Sequence, residues 1–183
     1  MAIEIEKKYR LAPDEVAALR GRLAEVGARA ERGVEFEENT LYAGANLEPG
    51  RRNLRLRRVE GRAVLTLKER EPSADSIKRQ REEETAVADA ETLSTILAAL
   101  GYAPALVYEK RRETWTLDGV EVVIDELPFG WFAEVEGERD AILRAERKLG
   151  LEQVTAEPRT YPDLSREHGT RRGDVVEARF EQK

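Results

Sequence analysis

Alternation of charged and apolar residues constrains the fold of this sequence more than any other feature. At the N-terminus the alternation puts Glu4, Glu6 and Lys8 on one face of a predicted strand. The stretches 54–57 and 77–87 alternate in the same way. Each of these predicted strands therefore has one apolar face and one charged face.

Composition excludes several kinds of site. The 183 residues suffice for one domain with a buried core. The 31 Lys and Arg against 37 Asp and Glu give a net charge of −6, so a nucleic-acid partner bound through net charge is not expected. The sequence has no cysteine, and its one histidine is His168, which excludes disulfides, thiolate zinc sites and multi-histidine metal sites. Any metal must be held by oxygen atoms, which favours Mg²⁺, Mn²⁺ or Ca²⁺.

The sequence also bears on location. No apolar run is long enough to span a membrane, and the N-terminal residues have no signal-peptide character. We therefore expect a cytoplasmic protein with no membrane partner.

Three amphipathic helices are predicted, and a glycine follows each of them. The first covers about residues 13–26, the second runs from the N-cap Asp89 to about residue 100, and the third covers about residues 138–149. Each helix has one apolar face and is expected to cover another element.

Strands are predicted between these helices, and Asp118-Gly119 is a strong hairpin turn. The predicted strands cover residues 29–42, 54–57, 64–68, 77–87, 105–117, 121–127 and 132–136. A charged loop is predicted at 69–76. The pattern indicates an antiparallel sheet with helices on one surface. We expect one domain over residues 1–168 and a tail at 169–183 that is either an edge strand or loosely held, with Tyr161 and Leu164 packing it on the sheet.

Two architectures fit the alternation. In one, the charged faces of an open sheet point to water. In the other, the sheet closes into a barrel, the apolar faces lie under the helices, and the charges line a lumen that can hold a small ligand. Clustered arginines such as Arg55 and Arg57 would then need a polyanion, and clustered carboxylates a cation, and a metal-bound triphosphate satisfies both. Alternation alone does not decide between the two.

A family resemblance favours the barrel. Glu4-x-Glu6-x-Lys8 resembles the ExExK signature of the CYTH superfamily, or triphosphate tunnel metalloenzymes, which includes bacterial class IV adenylyl cyclases and animal thiamine triphosphatases. Further landmarks follow in the family's order over about residues 1–164: Arg55-x-Arg57, Leu65-Thr66-Leu67-Lys68, Arg81-x-Glu83, Glu109-Lys110-x-Arg112, Asp125 and Glu134-x-Glu136. The stretches 100–102 and 157–161 resemble the class IV cyclase branch in particular.

The resemblance implies an α+β fold, a closed eight-stranded antiparallel β-barrel with helices outside, that binds a triphosphate end-on with Mg²⁺ or Mn²⁺. The implied catalytic residues are Glu4, Glu6, Lys8, Lys110 and Arg112. The implied substrate-binding residues are Lys8, Arg55, Arg57, Lys68, Arg81, Lys110 and Arg112. The implied metal ligands are Glu4, Glu6, Glu83, Asp125, Glu134 and Glu136.

The sequence departs from the family pattern at two positions. Glu69 follows Lys68 where relatives often have Gly, and Thr85 stands at the last position of what is often Arg-x-Glu-x-Glu. These departures leave the number of metals and the choice of substrate open.

Three functions remain open. The first is a metal-dependent hydrolase of inorganic triphosphate, a nucleoside triphosphate or thiamine triphosphate. The second is an adenylyl cyclase that converts ATP to cyclic AMP and pyrophosphate, for which Trp115 or Trp131 could stack on the base. The third is a non-catalytic module that binds a phosphorylated ligand or an RNA end through the basic run 51–58. A homodimer is expected from the resemblance alone.

Overall fold

Eleven strands and four α-helices are found in the computed structural model, which describes residues 2–48, 50–70 and 77–181. The strands are β1 (Ala2–Leu11), β2 (Arg29–Ala30), β3 (Glu35–Ala43), β4 (Arg52–Val59), β5 (Arg62–Arg70), β6 (Lys78–Val87), β7 (Ala103–Leu117), β8 (Val120–Leu127), β9 (Gly130–Glu136), β10 (Thr170–Arg172) and β11 (Val175–Ala178). The helices are α1 (Pro13–Glu25), α2 (Ala90–Ala99), α3 (Arg139–Leu149) and α4 (Tyr161–His168). Residues 71–76 of the predicted charged loop lie outside the described residues.

Eight of the strands close into a barrel. Their order is β7-β3-β4-β5-β6-β1-β9-β8, and β8 pairs with β7 to complete the circle. All eight pairings are antiparallel. Because the first and last strands are paired with each other, these eight leave no open edge in the barrel wall. The predicted closed eight-stranded antiparallel β-barrel is confirmed.

The register puts the charged face of β1 inside the barrel. Glu6 lies opposite Glu136 of β9, and Lys8 lies opposite Glu134. Directly opposed residues of an antiparallel pair point to the same side of the sheet. The carboxylates and cations of neighbouring strands therefore meet in one lumen, while Tyr9 on the other face is fully buried in the outer core.

The helices bury the outer face of the barrel. The core beneath α1 and α3 includes Leu23, Ile124 and Ile142, which have no exposed surface. Helix α2 covers another part of the wall, where its Leu97 packs in one cluster with Leu56 of β4. The three helices predicted from sequence are thus confirmed.

The caps of these helices follow the sequence signals. The carboxylate of Asp89 accepts hydrogen bonds from the backbone N–H groups of Glu91 and Thr92, at 3.0 and 2.9 Å. Gly150, at the end of α3, takes the left-handed conformation with φ of 70°. Both ends therefore form where the cap residues predict them.

The predicted strand at 29–42 is wrong in its extent, because it is divided into β2 and β3. Both parts pair with β7: Ala30 lies opposite Trp115 and Glu35 opposite Arg112. The chain takes five residue steps between these points, whereas β7 takes three. The additional residues must leave the ladder, so the strand is interrupted.

The C-terminal part of the chain contains a helix that the sequence analysis missed. Helix α4 is capped by Thr160, whose hydroxyl accepts from the N–H of Asp163. Its residues Tyr161 and Leu164 pack with Phe132 and other lumen-facing side chains, so α4 closes one end of the barrel. Beyond it, β10 and β11 form a hairpin, and β11 pairs with β7 in parallel, as an edge strand rather than a loose tail.

None of the helices in the described part of the chain has the length and apolar character needed to cross a membrane.

The apolar core lies outside the barrel, between its wall and the helices. The fold therefore depends on the packing of these helices. Replacing Ile142 of α3 by Ala removes a fully buried side chain from the outer core. We expect this change to lower the free energy of unfolding by about 2–5 kcal/mol. Denaturant unfolding followed by circular dichroism measures it.

The matched control is Ile96→Ala on α2, where the side chain is 50% exposed. It should change the free energy by no more than about 0.5 kcal/mol. Equal losses for the two variants would contradict the assignment of the core to the outer face.

Candidate active site

The lumen contains a cavity of about 570 Å³ whose wall is mainly charged. Eleven of the residues predicted for the site line it: Glu4, Glu6, Lys8, Arg55, Arg57, Lys68, Glu83, Lys110, Arg112, Glu134 and Glu136. They come from six strands, β1, β4, β5, β6, β7 and β9, and only closure of the barrel brings them together. The structure adds Glu82 and Glu121, which the sequence analysis did not select.

The structure does not bring Arg81, which was predicted to bind substrate, into the lumen. Arg81 is exposed and lies opposite Ile3 and Glu69, on the outer face. On the same strand, Glu82 lies opposite Lys68 and Gln80 opposite Glu4, so the even-numbered residues face the lumen.

Glu83 belongs to the outer face for the same reason. It lies opposite Leu67, which is exposed outside the barrel, and its own side chain is exposed although it borders the cavity. Glu82, one residue before Glu83, is the carboxylate whose strand position faces the lumen. Both faces of β6 are charged, and alternation therefore could not show which one points inward.

The register of β6 also changes which of its residues correspond to the family pattern Arg-x-Glu-x-Glu. The inward residues are Gln80, Glu82 and Glu84. In this register Glu82 and Glu84 supply two carboxylates, and the amide of Gln80 stands at the position before them. The Gln80 side chain donates a hydrogen bond to Glu4 at 3.0 Å.

One part of the lumen is an acidic cluster formed by Glu4, Glu6, Glu82 and Glu136. The Nζ of Lys68 lies 2.6 Å from Glu4 and 3.1 Å from Glu82. Burial raises the pKa of Glu136 to about 8, and the neighbouring charge of Glu4 adds to this effect. Burial and a hydrogen bond with Glu82 also raise the pKa of Glu4. Burial raises the pKa of Glu82, but a hydrogen bond with Glu4 and the charges of Lys68 and Arg55 outweigh it and lower the pKa, so the cluster is partly compensated within the protein.

The acidic cluster fits a hard divalent cation. Carboxylate oxygens are the ligands that Mg²⁺ and Mn²⁺ prefer, and after burial the charge of Glu4 is a cause of the raised pKa of Glu136. Within the described ranges, no three acidic or histidine side chains already converge at the spacing of a bound ion. A metal here would be held by Glu4, Glu6, Glu82 and Glu136 after local adjustment of their side chains.

The rest of the lumen is a cationic cluster formed by Lys8, Arg55, Arg57, Lys110 and Arg112. Lys110 is 1% exposed and lies 3.4 Å from Glu37, a buried carboxylate that the sequence analysis missed. Burial raises the pKa of Glu37, but the charges of Lys110, Arg112 and Arg57 outweigh it and lower the pKa to about 2. Glu37 therefore stays ionised and holds two of the cations in place.

Asp125, predicted as a metal ligand, lies in the cationic cluster instead. Its carboxylate is fully buried and accepts two hydrogen bonds from Arg112, at 2.8 and 2.6 Å. Tyr161 donates a third, at 2.8 Å. The structure therefore does not bring Asp125 to the acidic cluster.

Glu134 stands between the two clusters. It pairs with Lys8 at 3.2 Å and with Arg112 at 2.9 Å. On β9 it lies two residues before Glu136. Its carboxylate thus contacts two residues of the cationic cluster while facing the same cavity as the acidic cluster.

The two tryptophans lie outside the lumen. Trp115 and Trp131 pack against the outer core beneath α1 and α3, and the guanidinium of Arg20 lies 5.4 Å from the Trp131 ring. Neither lines the cavity. The aromatic side chains that do line it, among the described residues, are Tyr108 and Tyr161, which both belong to the core at the closed end.

The chain is similar to several proteins of known structure. The PH1012 protein of Pyrococcus horikoshii is 25% identical, with a TM-score of 0.75 over 88% of this chain and 98% of that one. A Vibrio parahaemolyticus protein named as a candidate adenylate cyclase is 23% identical, with a TM-score of 0.70 over 88% and 97%. The Hippeastrum protein HpAC1, whose structure is described as revealing a dominant triphosphatase activity, is 16% identical, with a TM-score of 0.70 over 91% and 96%. No curated protein matches the sequence.

A family model assigns this chain to a protein family, and the assignment agrees with the barrel and its charged lumen. The model of the CYTH domain matches residues 2–161, nearly the whole chain. The matched region contains β1 to β9, and with them every strand of the barrel. The chain belongs to the CYTH domain family.

Proposed function

We propose that this protein is a divalent-metal-dependent hydrolase that cleaves inorganic triphosphate bound end-on in the barrel. The observation that carries the proposal is the meeting of an acidic and a cationic cluster in one enclosed cavity. A metal-bound polyphosphate carries the complementary charges: its oxygens accept hydrogen bonds from Arg and Lys, and its metal takes the carboxylates.

Charge stabilisation is the main task of such an enzyme. Phosphoryl transfer depends on positioning the reacting groups and on meeting the charge that develops on the phosphate oxygens. Lys8, Lys110 and Arg112 can provide fixed positive charge there. A divalent cation, when bound, offsets phosphate charge and lowers the pKa of water.

Lys110 has a further property that suits this reaction. Burial lowers the pKa of its ammonium group, and the nearby charge of Arg112 lowers it further. Such an ammonium releases a proton more readily than an ordinary lysine does, and the leaving phosphate needs one. Lys110 would therefore both bind a phosphate oxygen and donate a proton to it.

The lining of the cavity favours hydrolysis of an unsubstituted triphosphate over cyclisation of ATP. A cyclase must hold the adenine and ribose so that the 3′-hydroxyl attacks the α-phosphorus. Trp115 and Trp131 are committed to the outer core, and the lining tyrosines lie at the closed end among the cations. The described lining therefore offers no aromatic platform beside the acidic cluster.

Adenylyl cyclase activity is the second candidate. The stretches 100–102 and 157–161 resemble class IV cyclases, and the similar Vibrio protein carries the name of a candidate adenylate cyclase. The similar Hippeastrum protein, with its described triphosphatase activity, supports the hydrolase.

Product analysis separates these candidates. The pure protein is incubated with inorganic triphosphate, ATP or thiamine triphosphate, each with Mg²⁺ or Mn²⁺. We expect orthophosphate from inorganic triphosphate, because the cavity recognises phosphate and metal but lacks a base platform. Cyclic AMP and pyrophosphate from ATP would instead identify a cyclase.

Neutralising one inward carboxylate tests the acidic cluster. Glu82→Gln should lower kcat/KM for the triphosphate by about tenfold or more, since a charged ligand to the metal is lost. The control Glu126→Gln removes a carboxylate of the outer face, where Glu126 pairs with Arg111, and should change kcat/KM by less than about twofold. Metal-free binding of triphosphate that is unaffected by replacing Glu4 and Glu6 with Gln would instead favour a non-catalytic binding module.

The pH dependence of metal binding follows from Glu136. Its pKa of about 8 means that the carboxyl group is largely protonated at neutral pH and must lose the proton to bind a cation. The affinity for Mg²⁺ should therefore rise between about pH 6 and pH 9, with proton release on binding. Calorimetry in buffers of different ionisation enthalpy measures both, and Glu136→Gln should remove most of the dependence. An affinity independent of pH over this range would contradict the account.

A further inference from the structure

Tyr161 connects helix α4 to the cationic cluster. It is the first residue of α4, it is 5% exposed, and it lines the cavity. Its ring packs edge-on against Phe132, with the ring centroids 5.6 Å apart. The residue is thus held rigidly at the closed end of the barrel, beside the groups that would bind phosphate.

The Tyr161 ring contacts two of the lumen cations. The Nζ of Lys8 lies 3.8 Å from the ring centroid, and the Nζ of Lys110 lies 5.4 Å from it. An aromatic face attracts an ammonium group through its quadrupole, but it does not cancel the charge as a carboxylate does. The ring therefore holds both ammonium groups without adding a further negative charge to the pairs that they already form with Glu134 and Glu37.

The segment before α4 supports the same arrangement. The backbone carbonyl of Arg159 accepts a hydrogen bond from the Nζ of Lys8 at 3.1 Å. The backbone N–H of Glu157 donates to the carbonyl of Lys8 at 2.8 Å. The main chain of residues 157–159 thus fixes the Lys8 backbone and one donor of its ammonium group.

The Tyr161 hydroxyl acts on a third cation through Asp125. It donates to Oδ2 of Asp125 at 2.8 Å, and the same carboxylate holds the Arg112 guanidinium in two hydrogen bonds. Lys110 stands farther off, at 3.5 Å from Oδ2. Burial and the charge of Asp125 raise the pKa of Tyr161 well above its usual value, so the hydroxyl keeps its proton and remains a donor.

We propose that Tyr161 is a positioning residue for phosphate binding, whose ring holds Lys8 and Lys110 and whose hydroxyl, through Asp125, orients Arg112. Both ammonium groups already pair with carboxylates, Lys8 with Glu134 and Lys110 with Glu37, and the ring and hydroxyl fix where they stand in these pairs. Without Tyr161 the cations would lose these fixed positions, which a bound polyphosphate needs. The inference rests on the proposed function, since it assumes that a polyphosphate is the anion.

Binding of inorganic triphosphate with Mg²⁺ to the full chain, measured by calorimetry, tests the proposal. Tyr161→Leu removes ring and hydroxyl and should raise Kd about tenfold or more. Tyr161→Phe keeps the ring and should raise Kd about threefold. The control Leu164→Ala loosens the same helix in the same apolar core and should lower Tm while leaving Kd within about twofold.

The outcomes separate the two claims. If the unaltered protein fails to bind inorganic triphosphate, the proposed function is wrong. If it binds, and Tyr161→Leu leaves Kd within about twofold, the positioning role alone is overturned. The role is likewise overturned if Leu164→Ala weakens binding as much as Tyr161→Leu does, since the effect then comes from packing. Where Tyr161→Leu does not fold, Tyr161→Phe decides, and a Kd equal to that of the unaltered protein overturns the role.

Discussion

Pairing of unlike charges in an enclosed lumen is the interaction on which the rest of this structure depends. Removing a carboxylate or an ammonium group from water costs several kcal/mol unless a partner compensates it. Asp125 and Lys110 are both almost fully buried, and each has partners of opposite charge within 3.5 Å. At the closed end of the barrel this compensation is provided within the protein.

In the acidic cluster the charge of the carboxylates is only partly compensated by cations. The two ends of the lumen therefore differ in charge. Burial raises the pKa of Glu136 and the charges of neighbouring carboxylates add to the effect, whereas at Glu37 the nearby cations outweigh burial and lower the pKa. We propose that metal supplies the missing charge at one end, and that phosphate is met by the cations at the other. A triphosphate bound along the lumen would place its metal near Glu4 and Glu136.

Closure of the barrel depends on apolar packing outside it. The apolar faces of the strands lie under α1 and α3, as Val122 and Ile124 of β8 do. In an ordinary two-layer domain such faces would form the core between the layers. The inner faces are then free to carry charge. Helix α4 is the exception, since Tyr161 and Leu164 extend the apolar packing into one end of the lumen.

Much of this could be predicted from sequence where one strand face was clearly charged and the other clearly apolar. In β1 the alternation put Glu4, Glu6 and Lys8 on one face, the family resemblance implied that this face lines the lumen, and the structure places it there. In β6 both faces are charged, so Glu82 could be recognised only from its pairing with Lys68. Asp125 was assigned to the wrong partners, because its neighbours Arg112 and Tyr161 come from other elements. Helix α4 was missed because its eight residues show too short an apolar period.

The most direct test of the central claim is a crystal structure of the protein with Mn²⁺ and inorganic triphosphate, with the metal located by its anomalous scattering. The account predicts manganese density within bonding distance of Glu4, Glu6 or Glu136, and phosphate oxygens on Lys8, Lys110 and Arg112. Manganese or triphosphate bound on the outer surface, with an empty lumen, would contradict it.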